Sequence, residues 1–125
     1  MKTILTVEES QRLIDLGVDP KMATSKTTII EEAGLCGRWE SEVLLFSLTD
    51  ILIILPKSYF SEEHFAEMVL SIEVCDNKWF ANYRYYCGGE LAGQDVEREA
   101  PELIETLYQL VIWCLENKII KLKDS

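Results

Sequence analysis

The chain has 125 residues, 48% of them hydrophobic, with 22 acidic side chains against 12 basic ones. This length predicts a single globular domain over residues 1–125 that buries about two thirds of the surface of its unfolded chain. The net charge of −10 argues against proteins that bind nucleic acid or anionic membranes through a basic surface, because carboxylates repel phosphate. We therefore expect neither nucleic acid nor a membrane as a partner.

The cellular location is predicted from apolar stretches that are too short for export or membrane insertion. Near the amino end, the apolar stretch 4–7 is brief and is followed by two glutamates, unlike the apolar core of a signal peptide. The longest apolar stretches, 43–55 and 103–115, each contain an acidic residue, and a spanning helix needs about twenty apolar residues. We therefore expect a cytoplasmic protein.

The four cysteines give no sign of a metal centre. They are Cys36, Cys75, Cys87 and Cys114, and none forms the closely spaced Cys-x-x-Cys pair that structural zinc sites use. We expect free thiols that are buried or half-buried, with no bound metal and no cofactor.

The first predicted element is a helix that begins after Thr6. Thr6 and Glu9 have the spacing of a capping box, in which each side chain accepts a hydrogen bond from the other residue's backbone amide. Gly17 is placed to end this helix in a left-handed conformation. Asp19 followed by Pro20 then predicts a short helical turn.

The middle of the chain begins with two β-branched or aliphatic runs. Residues 27–30 and 43–46 predict two short strands. In the following segment, 47–56, apolar residues recur with helical spacing, with Ser47 or Thr49 available as the cap and Pro56 as the stop. A short helix is favoured there, and a buried strand over 51–55 stays open as the alternative.

The strongest β signal is a hairpin centred on residues 67–87. A two-residue turn at Asp76 and Asn77 places even residues of the first strand opposite odd residues of the second. The predicted pairs on the apolar face are Val74 with Trp79, Ile72 with Ala81, Leu70 with Tyr83 and Met68 with Tyr85. A shift of one residue would mix apolar with polar side chains, so this register is favoured.

The segment after the hairpin is acidic and rich in glycine. We predict that residues 88–99 form a long acidic loop, which is either mobile or functional. The last helix is predicted to begin near Pro101, which suits the first helical position. Since it is apolar on almost every side over 110–115, it should be largely buried.

The hairpin supplies four weak candidates for a binding site. They are Trp79, Tyr83, Tyr85 and Tyr86, and a pocket between them and the predicted 88–99 loop could hold a small molecule. The favoured interpretation is that these rings fill the space between the hairpin and the last helix.

His64 is the single histidine and the other residue that could carry chemistry. Catalysis or metal binding would require convergent partners; Glu63 and Glu67 flank it, and one helical turn could bring Glu67 beside it. A pair of His64 with one of the cysteine thiols stays open. We interpret His64 as a solvated surface residue and predict no catalytic residue and no metal ligand.

Segments from both ends and the middle of the chain carry a resemblance. They are residues 6–10 with 17–20, 54–57 and 107–114. Together they resemble a group of small uncharacterised proteins of gut bacteria, often encoded among prophage or mobile-element genes. The resemblance implies a capped first helix, a helix stop and a buried last helix. No activity is assigned to the group, so the resemblance implies no site residue.

These elements predict an α+β fold. A small antiparallel sheet centred on the 67–87 hairpin should be packed on one face by the N-terminal and C-terminal helices. The charge and the missing catalytic constellation favour a non-enzymatic accessory or protein-interaction domain, either a monomer or a homodimer, with an unknown protein partner. Two alternatives stay open: a small-molecule-binding domain or minor enzyme at the hairpin aromatics and the 88–99 loop, and a phage-type inhibitor that imitates DNA.

Overall fold

The computed structural model of the protein describes residues 1–32, 34 and 37–120. This part of the chain contains helices and antiparallel strands, which confirms the predicted α+β class. In chain order the elements are α1 (Val7–Asp15), a 3-10 helix (Pro20–Met22), β1 (Ser25–Glu32), β2 (Arg38–Leu45), α2 (Leu48–Ile54), β3 (Ser58–Ser61), β4 (Ala66–Cys75), β5 (Lys78–Cys87), β6 (Glu90–Ala100) and α3 (Leu103–Glu116). Among the described helices, none has the length and apolar character needed to cross a membrane.

Helices α1 and α2 each begin with a capping box. In α1, the Thr6 hydroxyl accepts from the Glu9 amide at 3.1 Å, and the Glu9 carboxylate accepts from the Thr6 amide at 3.0 Å. In α2, Ser47 and Asp50 make the same reciprocal pair at 3.2 and 2.9 Å. The predicted start of α1 is confirmed. The helix over 47–56 is confirmed over the alternative strand, because its cap satisfies the first backbone amides.

Strands β1 and β2 form a two-stranded sheet, which we call the ribbon. They pair antiparallel from Ser25 opposite Leu45 to Glu32 opposite Arg38. Among the described strands, neither pairs with any other, so the ribbon is separate from the main sheet. The two strands predicted within 24–46 are therefore confirmed, and they are longer than the β-branched runs that indicated them.

The main sheet has the strand order β3-β4-β5-β6, with antiparallel neighbours. The predicted register of the β4–β5 hairpin is confirmed at Val74 with Trp79, Ile72 with Ala81 and Leu70 with Tyr83. Asp76 and Asn77 have φ of +51° and +64°, the left-handed values that a two-residue hairpin turn requires. The apolar face is less covered near this turn, where Val74 is 60% exposed.

The prediction of an acidic loop over 88–99 is wrong, because most of this segment is strand β6. It pairs with the free edge of β5 from Trp79 opposite Ala100 to Cys87 opposite Glu90. Only Val96 and Ala100 of this strand are buried, so its sequence lacks a strong apolar alternation. The face of β6 that points away from the core is solvated, so acidic residues are tolerated there. Pairing with β5 outweighs the weak intrinsic β-propensity of this segment.

The core lies between the main sheet and the helices. Helix α3 packs on β5 and β6, α2 packs on α3, and α1 contacts β2. Both terminal helices contribute to one buried cluster, which includes Leu13 of α1 and Leu107 and Leu110 of α3. Helix α3 begins at Leu103, two residues after the predicted Pro101, and has no side-chain cap.

The three cysteines among the described residues are free thiols, as predicted, but their burial is not uniform. Cys114 is buried in α3, whereas Cys75 and Cys87 are exposed. The two exposed thiols are the last residues of β4 and β5, each beside a turn. The prediction of burial is therefore wrong for these two, and Cys36 lies outside the described residues.

Candidate functional site

The four aromatic candidates of the hairpin do not form one surface. Tyr83 is completely buried, and its hydroxyl donates to the Pro56 carbonyl at 2.8 Å. Trp79 and Tyr85 are half-buried on the same face of β5, whereas Tyr86 is exposed on the opposite face. Tyr83 therefore belongs to the core, in agreement with the favoured interpretation of these rings.

Cys114 is not a nucleophile in this fold. Its thiol donates to the Tyr83 hydroxyl at 3.8 Å inside the core. Burial raises the pKa of Cys114 to about 11, although the contact with Tyr83 lowers it in part. A thiol with so high a pKa stays protonated at neutral pH and lacks the thiolate that nucleophilic attack requires.

His64 is half-buried and paired, which corrects its interpretation as a solvated surface residue. Its Nε2 atom lies 2.9 Å from the Asp95 Oδ1 atom, and the two side chains are only 25% and 15% exposed. The imidazole ring also packs beside the Tyr85 ring, with 5.3 Å between centroids. Asp95 lies within the wrongly predicted loop, so the partner of His64 is a strand residue rather than Glu67.

A tight turn between β3 and β4 positions His64. The His64 amide donates to the Ser61 hydroxyl at 3.3 Å, and Phe65 adopts a left-handed φ of +52°. A left-handed residue other than glycine is uncommon and reverses the chain sharply. The turn also brings a carboxylate oxygen of Glu63 within 4.8 Å of a ring nitrogen of His64.

A β-bulge positions Asp95. Tyr83 pairs with Val96 and Arg84 pairs with Gln94, so Asp95 is an extra residue that has no partner on β5. Such a bulge bends the strand and redirects the side chain of the extra residue. The Asp95 carboxylate consequently also accepts a hydrogen bond from the Tyr59 hydroxyl of β3.

The bond between Tyr59 and Asp95 joins the two edges of the main sheet. Strands β3 and β6 are first and last in the strand order, and neighbouring strands are about 4.8 Å apart. A flat sheet would keep these edges too far apart, so the sheet is strongly curled at this end. Burial raises the pKa of Tyr59, and the Asp95 carboxylate raises it further, which keeps Tyr59 a proton donor.

Glu63, His64 and Asp95 form a set that could hold a metal ion. One ligand atom from each side chain lies within 4.8 Å of the others, and Glu63 is exposed to solvent. Sequence analysis missed this set because His64 and Asp95 are 31 residues apart and sit on different strands. No local spacing signals such a contact, and only the placement of β6 brings the two together.

A separate groove of about 330 Å³ runs along α3 and includes Trp113 and Tyr108. Two arginines also line it, Arg12 from α1 and Arg98 from β6. Among the described residues, neither guanidinium group has a carboxylate within ion-pair distance, whereas Arg38 and Arg84 are paired with glutamates. Guanidinium groups of this kind can bind a carboxylate or phosphate. The predicted hairpin aromatics do not line this groove.

Comparison with known proteins adds no functional information. Scans of family models, of curated proteins and of solved structures all returned no match to this chain.

Proposed function

We propose that this chain is a non-enzymatic protein-interaction module that binds a basic partner through the ribbon. The observation that carries the proposal is the exposure of large apolar side chains on this two-stranded sheet. Trp39 is 65% exposed and Ile30 is 49% exposed. They lie on opposite faces of the ribbon, because Trp39 pairs with Glu31 and Ile30 pairs with Glu40.

Toward its tip, over 30–32 and 38–42, the ribbon is exposed on both faces, which favours association with another chain. An isolated hairpin is at best marginally stable in water. Each strand of the ribbon also has one edge without a strand partner among the described residues. Such an edge offers backbone amides and carbonyls to an added strand, while apolar side chains on either face give specificity.

The charge of the ribbon favours a basic partner over a second copy of this chain. The ribbon strands carry Glu31, Glu32, Glu40 and Glu42 against Lys26 and Arg38. Two ribbons in contact would bring these glutamates together in a chain that already has a net charge of −10. A basic protein surface would be attracted instead, and its association would be accelerated. Repulsion between these carboxylates and phosphate groups disfavours nucleic acid as the partner.

We also infer a cytoplasmic place of action. The exposed thiols of Cys75 and Cys87 are free, and a reducing compartment keeps such thiols from forming disulfides.

The test is a quantitative capture experiment followed by binding to the purified partner. Wild type, Trp39→Ala and Phe65→Ala are used as baits, the last as a matched control with an exposed aromatic ring outside the ribbon. We expect a basic protein that binds wild type and Phe65→Ala equally. It should bind Trp39→Ala about 30-fold more weakly, as for a central aromatic residue of an interface, and every affinity should fall with added salt.

Three outcomes would contradict the proposal. One is equal affinity of the partner for wild type and Trp39→Ala. The second is cross-linking of the partner to residues outside the ribbon. The third is a dimer of the purified chain, detected by sedimentation, in which the two ribbons cross-link to each other.

A further inference from the structure

We propose that Glu63, His64 and Asp95 form a binding site for a first-row divalent transition metal in octahedral coordination. The inference is independent of the ribbon and of its partner. It starts from the donor set, which offers one imidazole nitrogen and two carboxylate oxygens within 4.8 Å of one another. Nitrogen and oxygen donors without sulfur suit Mn²⁺, Co²⁺ and Ni²⁺, with affinity rising in that order.

The distance between the two inner ligands fits neighbouring positions of an octahedron. Bonds of about 2.1 Å at right angles place two ligand atoms about 3.0 Å apart, whereas a tetrahedral angle places them about 3.4 Å apart. His64 Nε2 and Asp95 Oδ1 are 2.9 Å apart. A cation would replace the hydrogen bond of this contact, and the imidazole ring would turn so that Nε2 points at the cation rather than at Oδ1.

The inner ligands are held in place by their neighbours. The Tyr59 hydroxyl donates to the second oxygen of Asp95, which leaves Oδ1 for the cation. The His64 ring packs beside Tyr85, and the His64 backbone amide is bonded to Ser61. Such outer contacts orient metal ligands and strengthen binding.

The third ligand and the open positions lie toward solvent. Glu63 is exposed, so its carboxylate can move to complete one face of an octahedron. Three protein ligands leave about three positions for water or for an external ligand, an arrangement typical of exchangeable rather than structural metal sites. The site would therefore bind metal reversibly, and folding of the chain would not depend on it.

The untagged chain is titrated with Ni²⁺ and Co²⁺ by calorimetry, with Ca²⁺ as a hard cation that imidazole does not suit. We expect one equivalent of Ni²⁺ or Co²⁺, a weak visible spectrum typical of octahedral Co²⁺, and no binding of Ca²⁺. Because His64 is the single histidine, its ring resonance reports the site directly. Co²⁺ should broaden or shift it at substoichiometric addition.

Variants separate this site from other metal-binding surfaces. We expect His64→Asn and Asp95→Asn to abolish binding, and Glu63→Gln and Tyr59→Phe to weaken it about 10-fold. Glu62→Gln changes an exposed carboxylate of the same turn and should bind like wild type. Circular dichroism checks that each variant folds. Glu63 is exposed, so Glu63→Gln keeps the test decisive if a variant of a half-buried residue does not fold.

Three results would overturn the inference. One is binding that is equally strong in wild type and Glu63→Gln or His64→Asn. Another is an intense near-ultraviolet charge-transfer band of Co²⁺, which would identify the exposed cysteines as the ligands. The third is an unchanged His64 resonance at saturating Co²⁺.

Discussion

At the scale of single residues, Asp50 shows how a buried charge can be compensated. It is only 2% exposed, and its carboxylate accepts from the backbone amides of Thr24 and Ser47, both at 2.9 Å. The Thr24 hydroxyl adds a third donor at 2.9 Å. Asp50 therefore links the start of α2 to the residue that precedes the ribbon. Burial alone would raise the pKa of Asp50, but these hydrogen bonds lower it below its ordinary value.

We predict that Asp50→Asn lowers the free energy of unfolding by about 1–3 kcal/mol at pH 7, because the amide presents donors to donors. The folded-state pKa lies below that of the unfolded chain, whose ordinary value is 3.8. The stabilisation is therefore complete above the unfolded value and is lost as the pH falls through the folded one. Urea unfolding at pH 7 and at successively lower pH should show the gap between wild type and variant shrinking below about pH 4.

Asp15→Asn provides the matched control, since Asp15 is exposed at the end of α1. It should change the free energy of unfolding by less than about 0.5 kcal/mol. A gap for Asp50→Asn that stays constant with pH would show that the carboxylate charge does not contribute.

At the scale of elements, the packing of β5 against β6 depends on Gly93 of β6, which lies beneath the Tyr85 ring of β5. Gly93 pairs with Tyr85. A Cβ atom at Gly93 would lie 2.6 Å from the Tyr85 Cε1 atom and 3.1 Å from its Cζ atom. The ring therefore lies directly across the glycine, and it also packs beside the His64 ring. The position of this ring depends on the absence of a side chain at Gly93.

We predict that Gly93→Ala destabilises the chain by about 1–3 kcal/mol, because the added methyl group displaces the Tyr85 ring. The effect should nearly disappear in a Tyr85→Ala background, where the space is open. Urea unfolding of the two single variants and the double variant gives their coupling energy, which should exceed about 0.5 kcal/mol. Strictly additive effects would refute a contact between this ring and position 93.

The elements that were predicted well are those specified by local pattern. The capping boxes at Thr6 and Ser47 specify where α1 and α2 begin, and the alternation around Asp76 and Asn77 specifies the register of β4 and β5. These signals depend on neighbours within a few residues, so they can be recognised without knowledge of the tertiary structure.

Strand β6 and the site around His64 could not be predicted in the same way. The stretch from Glu90 to Ala100 is acidic and contains Gly93, which is typical of loops. It forms a strand because β5 offers it a free edge. Asp95 meets His64 and Tyr59 only through the bulge and the curl of the sheet, which no spacing in the sequence encodes.

At the scale of the whole molecule, the net charge of −10 should oppose compactness. Several ion pairs of the described residues, such as Lys26 with Glu42 and Arg38 with Glu40, are largely exposed and contribute little stability. Repulsion among the unpaired carboxylates should therefore dominate the surface electrostatics.

We predict that the urea midpoint rises when NaCl is raised from about 0.01 M to about 0.1 M, which shortens the Debye length from about 30 Å to about 10 Å. Near the sequence pI of about 4.5 the repulsion is balanced, and the same change of salt should have little effect. A midpoint at neutral pH that falls with salt would show that attractive pairs outweigh the repulsion.

The way the ribbon joins the rest of the molecule has a consequence for divergence. Its two strands begin and end side by side, since Ser25 is opposite Leu45, and Asp50 secures the nearby Thr24. Both ends of the ribbon therefore join the rest of the chain at one place, beside α2. A shorter, longer or unrelated hairpin could be grafted there without altering the main sheet, because the described strands of the two sheets do not pair with each other.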